Sequence, residues 1–175
     1  MTILYKPVLI ESAEQAEALP SNTKFHTDPA TAFSTRTEWQ GDCLVWVGPT
    51  DEEGYGRISV DGKWYKAHRY AWEQENGPIA PGMKIDHKCW NHPCVNIKHL
   101  RQATNAQNVS NASGPRKTNL STGVRNVYPK GKKFRVQIVK DGKSYRFGVY
   151  DSIEEASIVA EEKRRELFGE FSGRG

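Results

Sequence analysis

The stretch KIDHKCWNHPCVNIKHL, residues 84–100, holds two of the chain's three cysteines and three of its five histidines. Within it, Cys89-x4-Cys94-x4-His99 comes close to the spacing of zinc ligands. Three ligands leave a tetrahedral structural site one short. The remaining cysteine, Cys43, lies upstream in CLVWVG, which reads as a strand. A site of Cys43, Cys89, Cys94 and His99 would use every cysteine and tie that strand to the loop, which a small core needs. The plainer alternative is three buried reduced thiols and a surface histidine. A disulfide framework would leave one cysteine over, so thiolates on a metal in a reducing compartment fit better.

A second set of polar residues is threaded through the first. Asp86 and His87 are adjacent, Asn96 follows nine positions after His87, and Asn108 twenty-one after. Carboxylate and amide oxygens are hard ligands that suit magnesium or manganese. A neutral histidine beside such an ion can take a proton from water. The ion can stabilise the leaving oxygen of a phosphodiester. Taken bare, an Asp-His pair is more commonly a surface or core feature, and asparagines commonly make turns and caps.

These residues need elements to position them. The chain has 175 residues, room for one domain or two small ones. Its hydrophobic share of 37% makes for a modest core. No run of eighteen apolar residues is present, which argues against a membrane span. The N-terminus lacks the pattern of a secretory signal. KPVLI reads as a short strand and SAEQAEAL as a short helix capped by Ser12, with Gln15 in the capping-box position. HTDPATAFSTRTE reads as loop. GYGRISV and KWYK flank Asp61-Gly62, a hairpin signal. AHRYAWEQENG is helical to Gly77, and 104–112 is a short helix with Thr104 and Gln107 as its capping box. Residues 111–122 read as a linker, with Arg116 and Lys117 able to follow a phosphate backbone.

Beyond the linker, KFRVQIV and SYRFGV alternate across a KDGK turn. Phe134, Val136, Ile138, Tyr145 and Phe147 take the apolar face, and Arg135, Gln137, Val139 and Arg146 the other. A helix follows from Ser152, with Glu155 three residues on, Gly169 at its end, and Ile153, Ala156, Ala160 and Leu167 as its inner stripe. The formal net charge is only +4, but eight Lys/Arg face one acid between Gly123 and Arg146. Such a local excess points to a polyanion, foremost nucleic acid.

The segment HRYAWEQENGPIAPGMKIDHKCWNHPCVNIKHLRQATNAQN, with CLVWVG, GYG and AHR upstream, resembles the HNH endonuclease family in its bacteriophage form, over about 43–108. The resemblance implies a ββα-metal fold around one catalytic divalent cation, magnesium or manganese. It makes His87 the general base, Asn96 the middle residue that holds the loop and orients the histidine, and Asp86 and Asn108 the protein ligands of the cation. It also implies that Cys43, Cys89, Cys94 and His99 hold a structural zinc. The triad here reads His-Asn-Asn rather than His-Asn-His, with Asn105 a weaker candidate for the third place. Ile97 stands where the pattern favours proline. His68 and Arg69 match the family pattern too, and packing is the role expected of them; Arg69 would otherwise touch phosphate. His92 has no matching role.

Residues 122–173 resemble the Apetala-type, or ethylene-response-factor, DNA-binding domain, through GVR, the KFRVQIV strand, SIEEA and FGEF. In that family a three-stranded sheet enters the major groove. The resemblance, with the alternation, makes Arg125, Lys133, Arg135, Gln137 and Arg146 the DNA-facing residues, while Lys130 and Lys132 meet phosphates. Gln137 and Arg146 stand where the plant domains often carry glutamate and tryptophan.

The expected architecture is α+β: a ββα-metal HNH nuclease module at 38–112, then a linker at 113–121. A three-stranded antiparallel sheet packed on one helix follows at 122–173, and the segment 1–37 is given no role. The expected function is a metal-dependent DNA endonuclease of the phage homing type, acting on double-stranded DNA in the cytoplasm of an infected bacterium, with no membrane partner. The alternative is a non-catalytic, zinc-stapled DNA-binding regulator. An RNA partner is less favoured, because no aromatic pair is clearly exposed for base stacking. Target sequence, nicking or double-strand cleavage, and oligomeric state, monomer included, are not readable from the chain.

Overall fold

Asp28-Pro29 starts a helix where the sequence reading placed a loop. The computed structural model describes residues 28–115 and 121–175. In α1 (Pro29–Thr35) the Asp28 carboxylate accepts from the N–H groups of Ala30 and Thr31, each at 3.0 Å. Proline sits at the first helical position, where its missing N–H costs nothing. The strand expected at KPVLI, the helix expected at SAEQAEAL, and Arg116 and Lys117 lie outside the described residues.

The described chain forms two compact units. One comprises the described residues up to Pro81 together with His87–Gln102, the other Gly82–Asp86 with the described residues of Ala103–Gly175. In the first unit, β1 (Thr37–Gln40) and β2 (Cys43–Trp46) pair antiparallel, with Gln40 opposite Cys43. A second hairpin joins β3 (Arg57–Val60) to β4 (Lys63–Lys66) through Asp61 and Gly62. Both turn residues have positive φ, 48° and 74°, as the primed turns of two-residue hairpins require. Helix α2 (Ala67–Asn76) follows at once and stops at Gly77, whose φ of 78° lets its N–H reach Glu73 C=O at 3.0 Å.

The core of this unit gathers Ala32, Trp46, Ile58, Ala67, Ala71 and Val95, with Phe33, Leu44, Val60, Tyr70 and Ile97 against it. Trp46 is its largest member. Its indole N–H donates to Pro49 C=O at 3.1 Å, and its ring is flanked by Gly48 and Gly56. A Cβ on Gly48 would fall 2.7 Å from the indole nitrogen, and one on Gly56 2.6 Å from Cδ1. The loop at 93–95 lies along β2: Trp46 N–H donates to Pro93 C=O at 2.8 Å, and Val95 N–H to Leu44 C=O at 2.7 Å.

Strand β5 (Lys84–His87), a single 3-10 turn (Ile97–His99), β6 (Leu100–Ala103) and α3 (Asn105–Ser110) follow in chain order. Thr104 and Gln107 form the expected capping box. The chain order strand, strand, helix is the one a ββα arrangement calls for.

In the second unit, β7 (Val127–Lys130), β8 (Lys133–Lys140) and β9 (Lys143–Tyr150) form an antiparallel sheet in that order, with α4 (Ile153–Phe168) packed on it. Val127 and Val136 meet Ala156 and Ala160 in the core. The small alanines let helix and sheet approach closely. Between Arg135 and Gln137 the pairing with β9 shifts: Val149 stands opposite Arg135, but Arg146 opposite Gln137. This bulge brings both Phe147 and Tyr150 against the core. The inner stripe of α4 differs from expectation at its end. Leu167 is half-buried, while Arg164 continues the four-residue spacing of Ala156 and Ala160 at 1% exposure. Its guanidinium donates to Arg125 C=O at 3.1 Å, while its Nε is shielded without a hydrogen-bond partner. The molecule is thus α+β with small antiparallel sheets. No helix among the described residues is long and apolar enough to cross a membrane.

Ile58 has 0% exposure at the centre of the first core. Truncation to alanine is expected to cost about 2–5 kcal/mol, read as a lower urea midpoint at unchanged slope.

Candidate functional site

The four expected zinc ligands are brought together. The Cys43, Cys89 and Cys94 sulfurs and a ring nitrogen of His99 all lie within 4.8 Å of one another. His99 Nδ1 is 3.5 Å from Cys43 Sγ and 3.7 Å from Cys94 Sγ. Metal–donor bonds of about 2.0–2.3 Å put tetrahedral donors roughly 3.3–3.8 Å apart, so the cluster has the size as well as the chemistry of a metal centre. Each donor is placed by local backbone. Cys43 opens β2. Cys94 bridges Val45 and donates its N–H to Asn91 C=O at 3.0 Å. His99 ends the 3-10 turn, and its carbonyl accepts from Lys88 N–H at 2.8 Å. The thiols perturb one another. Hydrogen bonding from Cys94, with help from the backbone at Asn91, pulls Cys89 down to about 4. The proximity of Cys89, then burial, pushes Cys94 up.

Asn96 works on this same knot. Its Oδ1 accepts from Lys98 N–H at 3.0 Å, and its Nδ2 donates to Asp42 C=O at 2.9 Å. It thereby ties the turn that carries His99 to the residue before Cys43. The hydrogen bond that orients His87 comes from elsewhere: His87 Nε2 lies 2.9 Å from Cys94 C=O. A carbonyl only accepts, so Nε2 carries the proton and the basic lone pair sits on Nδ1.

His87 is buried among rings that the sequence did not connect to it. Its centroid is 4.7 Å from that of His68 and 5.8 Å from that of Tyr55. His92 stacks on Tyr55 at 4.4 Å and 8°, with Nδ1 2.6 Å from Glu53 C=O. On the ring edge of this group, Lys66 Nζ sits 4.0 Å from the Tyr55 centroid and 3.3 Å from both Asp51 and Glu53. Burial, then the neighbouring His87, lowers His68 to about 2, so its imidazole is neutral.

In the second unit, Asp86 is 5% exposed, and Asn111 Nδ2 donates to both its oxygens, at 3.0 and 2.9 Å. Asn111 was missed from sequence; its spacing one turn beyond Gln107 on a polar helix was the available signal. Asn108 stands half-buried on α3, and Asn105 is exposed.

The five expected DNA-facing residues divide. Arg135, Gln137 and Arg146 share the outer sheet face, with Gln137 directly opposite Arg146 and Arg135 opposite Tyr128. Arg135 Nε and Gln137 Oε1 are shielded and make no hydrogen bond. Lys133 is held by Asp151 at 2.8 Å, and that pairing raises its pKa. Arg125 is turned inward. Its guanidinium donates to the carbonyls of Ser110, Ala112, Ser172 and Arg174 at 2.8–3.1 Å.

Residues 65–110 match the HNH endonuclease family. The chain is 42% identical over 67 residues to Protein 7.7 of Escherichia phage T7, covering 38% of this chain and 52% of that protein. It is 39% identical over 66 residues to the uncharacterized gene 5.3 protein of Enterobacteria phage T3, covering 34% and 65%. Protein 3.8 of Escherichia phage T7 is 29% identical over 113 residues, 63% of this chain and 93% of that protein. The chain thus spans about half the length of the first of these relatives and just under two thirds of the second. No solved structure matches it. The match supports nuclease chemistry, and the Cys3His cluster supports a bound metal.

Protein purified without chelator is expected to carry about one equivalent of zinc, falling below half in Cys43→Ser or His99→Ala. Elemental analysis checks this, and chelation should lower the melting temperature. Metal-free wild type with unchanged melting would refute the assignment.

Proposed function

We propose that this protein is a metal-dependent HNH endonuclease that hydrolyses phosphodiester bonds of double-stranded DNA. The observation that carries the reading is the buried, oriented His87 imidazole beside Asp86, inside the segment that matches the HNH family. His87 Nδ1 takes a proton from water, and the resulting hydroxide attacks phosphorus. Positive charge reaching Nε2–H meets the Cys94 carbonyl, which holds the imidazole in register throughout. Asp86 and Asn108 would hold a divalent cation, magnesium or manganese, with Asn111 fixing the Asp86 carboxylate. Such a cation supplies charge stabilisation at the scissile phosphate and the leaving oxygen. Cys43, Cys89, Cys94 and His99 would hold a structural zinc, and Asn96 would brace that knot.

The same reading divides the chain into a nuclease module at 38–112 and an Apetala-type recognition module at 122–173, joined by 113–121. The outward Arg135, Gln137 and Arg146 of the three-stranded sheet favour it, since Arg and Gln side chains suit the major-groove edges of guanine and adenine. Tethering a cutter to a reader raises its local concentration at the site. The phage relatives favour a phage-encoded enzyme acting inside an infected bacterium, and the homing type belongs to the same proposal without support from their names.

With supercoiled plasmid and magnesium or manganese, nicked or linear product is expected, and His87→Ala should slow its formation by about 10²–10⁴-fold. If wild type binds the plasmid but never cuts it, a zinc-stapled DNA-binding regulator is the correct description. Arg146→Ala should weaken site binding by about 1–3 kcal/mol if the guanidinium reads a base, or lower the salt slope by about one if it meets a phosphate. Unchanged binding isotherms at two salt concentrations would remove the sheet face from the interface.

A further inference from the structure

His68 Nδ1 has no task in the fold. The side chain is 4% exposed, and Nδ1 is fully shielded without a hydrogen-bond partner. Leaving such a group unmet costs about 1–3 kcal/mol. Native proteins keep orphans of this kind mainly where a water, ion or ligand completes them. Packing does not account for it, because a purely apolar ring would fill the space beside Tyr55 without that cost. The position is also specific. His68 lies in the first turn of α2, fixed by Ala67 N–H donating to Gly56 C=O at 2.7 Å. Its ring meets His87 at 4.7 Å and Tyr55 at 5.1 Å. No other described residue brings a second imidazole this close to His87, since His92 stacks on the far partner, Tyr55, and is bound to Glu53.

We propose that His68 is a second imidazole of the reaction site, hydrogen-bonding the water that His87 activates. The inference rests on the reading of His87 as general base. Neutral imidazole has one donor and one acceptor nitrogen, so it can orient a water without competing for its proton. The proton passes to His87, and His68 is unchanged over the cycle. This gives the AHR segment a chemical role in place of the packing role expected from sequence.

The test compares His68→Phe, His68→Gln and His87→Ala in the full chain, by plasmid nicking with saturating manganese. Phenylalanine keeps a ring against Tyr55 but has no polar atom, and glutamine keeps a donor and an acceptor. His68→Phe should lose about 10–100-fold in rate, the worth of one hydrogen bond to the reacting group. His68→Gln should recover most of that loss, with zinc content unchanged and the melting temperature not lowered in either. The double variant His68→Phe/His87→Ala should cut no more slowly than His87→Ala alone. Wild-type rates in His68→Phe, with His87→Ala crippled, would overturn this inference and leave the nuclease reading standing. Equal losses in Phe and Gln variants accompanied by a lowered melting temperature would also overturn it. No cutting by wild type would sink both.

Discussion

On the reading of His87 as general base, the proposed chemistry depends on the hydrogen bond from its Nε2–H to Cys94 C=O. Net, such a bond is worth only about 1 kcal/mol, but its direction decides which nitrogen is basic. Cys94 can offer that carbonyl because its own place is over-determined. Its sulfur belongs to the four-donor cluster, its neighbours Pro93 and Val95 accept from and donate to β2, and its N–H closes a turn on Asn91. The Cys3His cluster and the proposed base are therefore not two features that merely share a loop. The residue that gives its sulfur to one gives its carbonyl to the other. The crowding of ligands at 84–100 follows from that double use.

Much of this was legible in sequence, for identifiable reasons. The β3–β4 hairpin, α2, α3 and α4 carry turn and cap residues whose effect is local, so a reading of neighbours suffices. The Cys3His quartet could be found because cysteines were few. The misses are of two kinds. Asp28-Pro29 was a local signal passed over. The proximity of His68 to His87, the grip of Asn111 on Asp86, and the bulge between Arg135 and Gln137 depend on tertiary register, which periodicity does not encode.

Basic residues were the least readable. Strand alternation and charge density treat every arginine of 122–173 as surface, yet two point inward. Arg164 supports the Arg125 carbonyl, and the Arg125 guanidinium gathers carbonyls at 110, 112, 172 and 174. A guanidinium offers five donors in a fixed fork, which serves a cluster of backbone acceptors as well as it serves a phosphate. The formal charge of this segment therefore overstates what faces solvent.

The flanking of Trp46 by Gly48 and Gly56 bears on how kinship in this chain should be judged. The upstream pattern WVG…GYG looks like a signature of chemistry, but its tryptophan and two of its glycines answer to packing. It is the imprint of an indole ring that leaves no room for a Cβ on either side. A descendant that replaced the tryptophan with a smaller residue could lose both glycines and keep its function. Divergence at those three positions should therefore be read as one coordinated event rather than as three independent losses of ancestry.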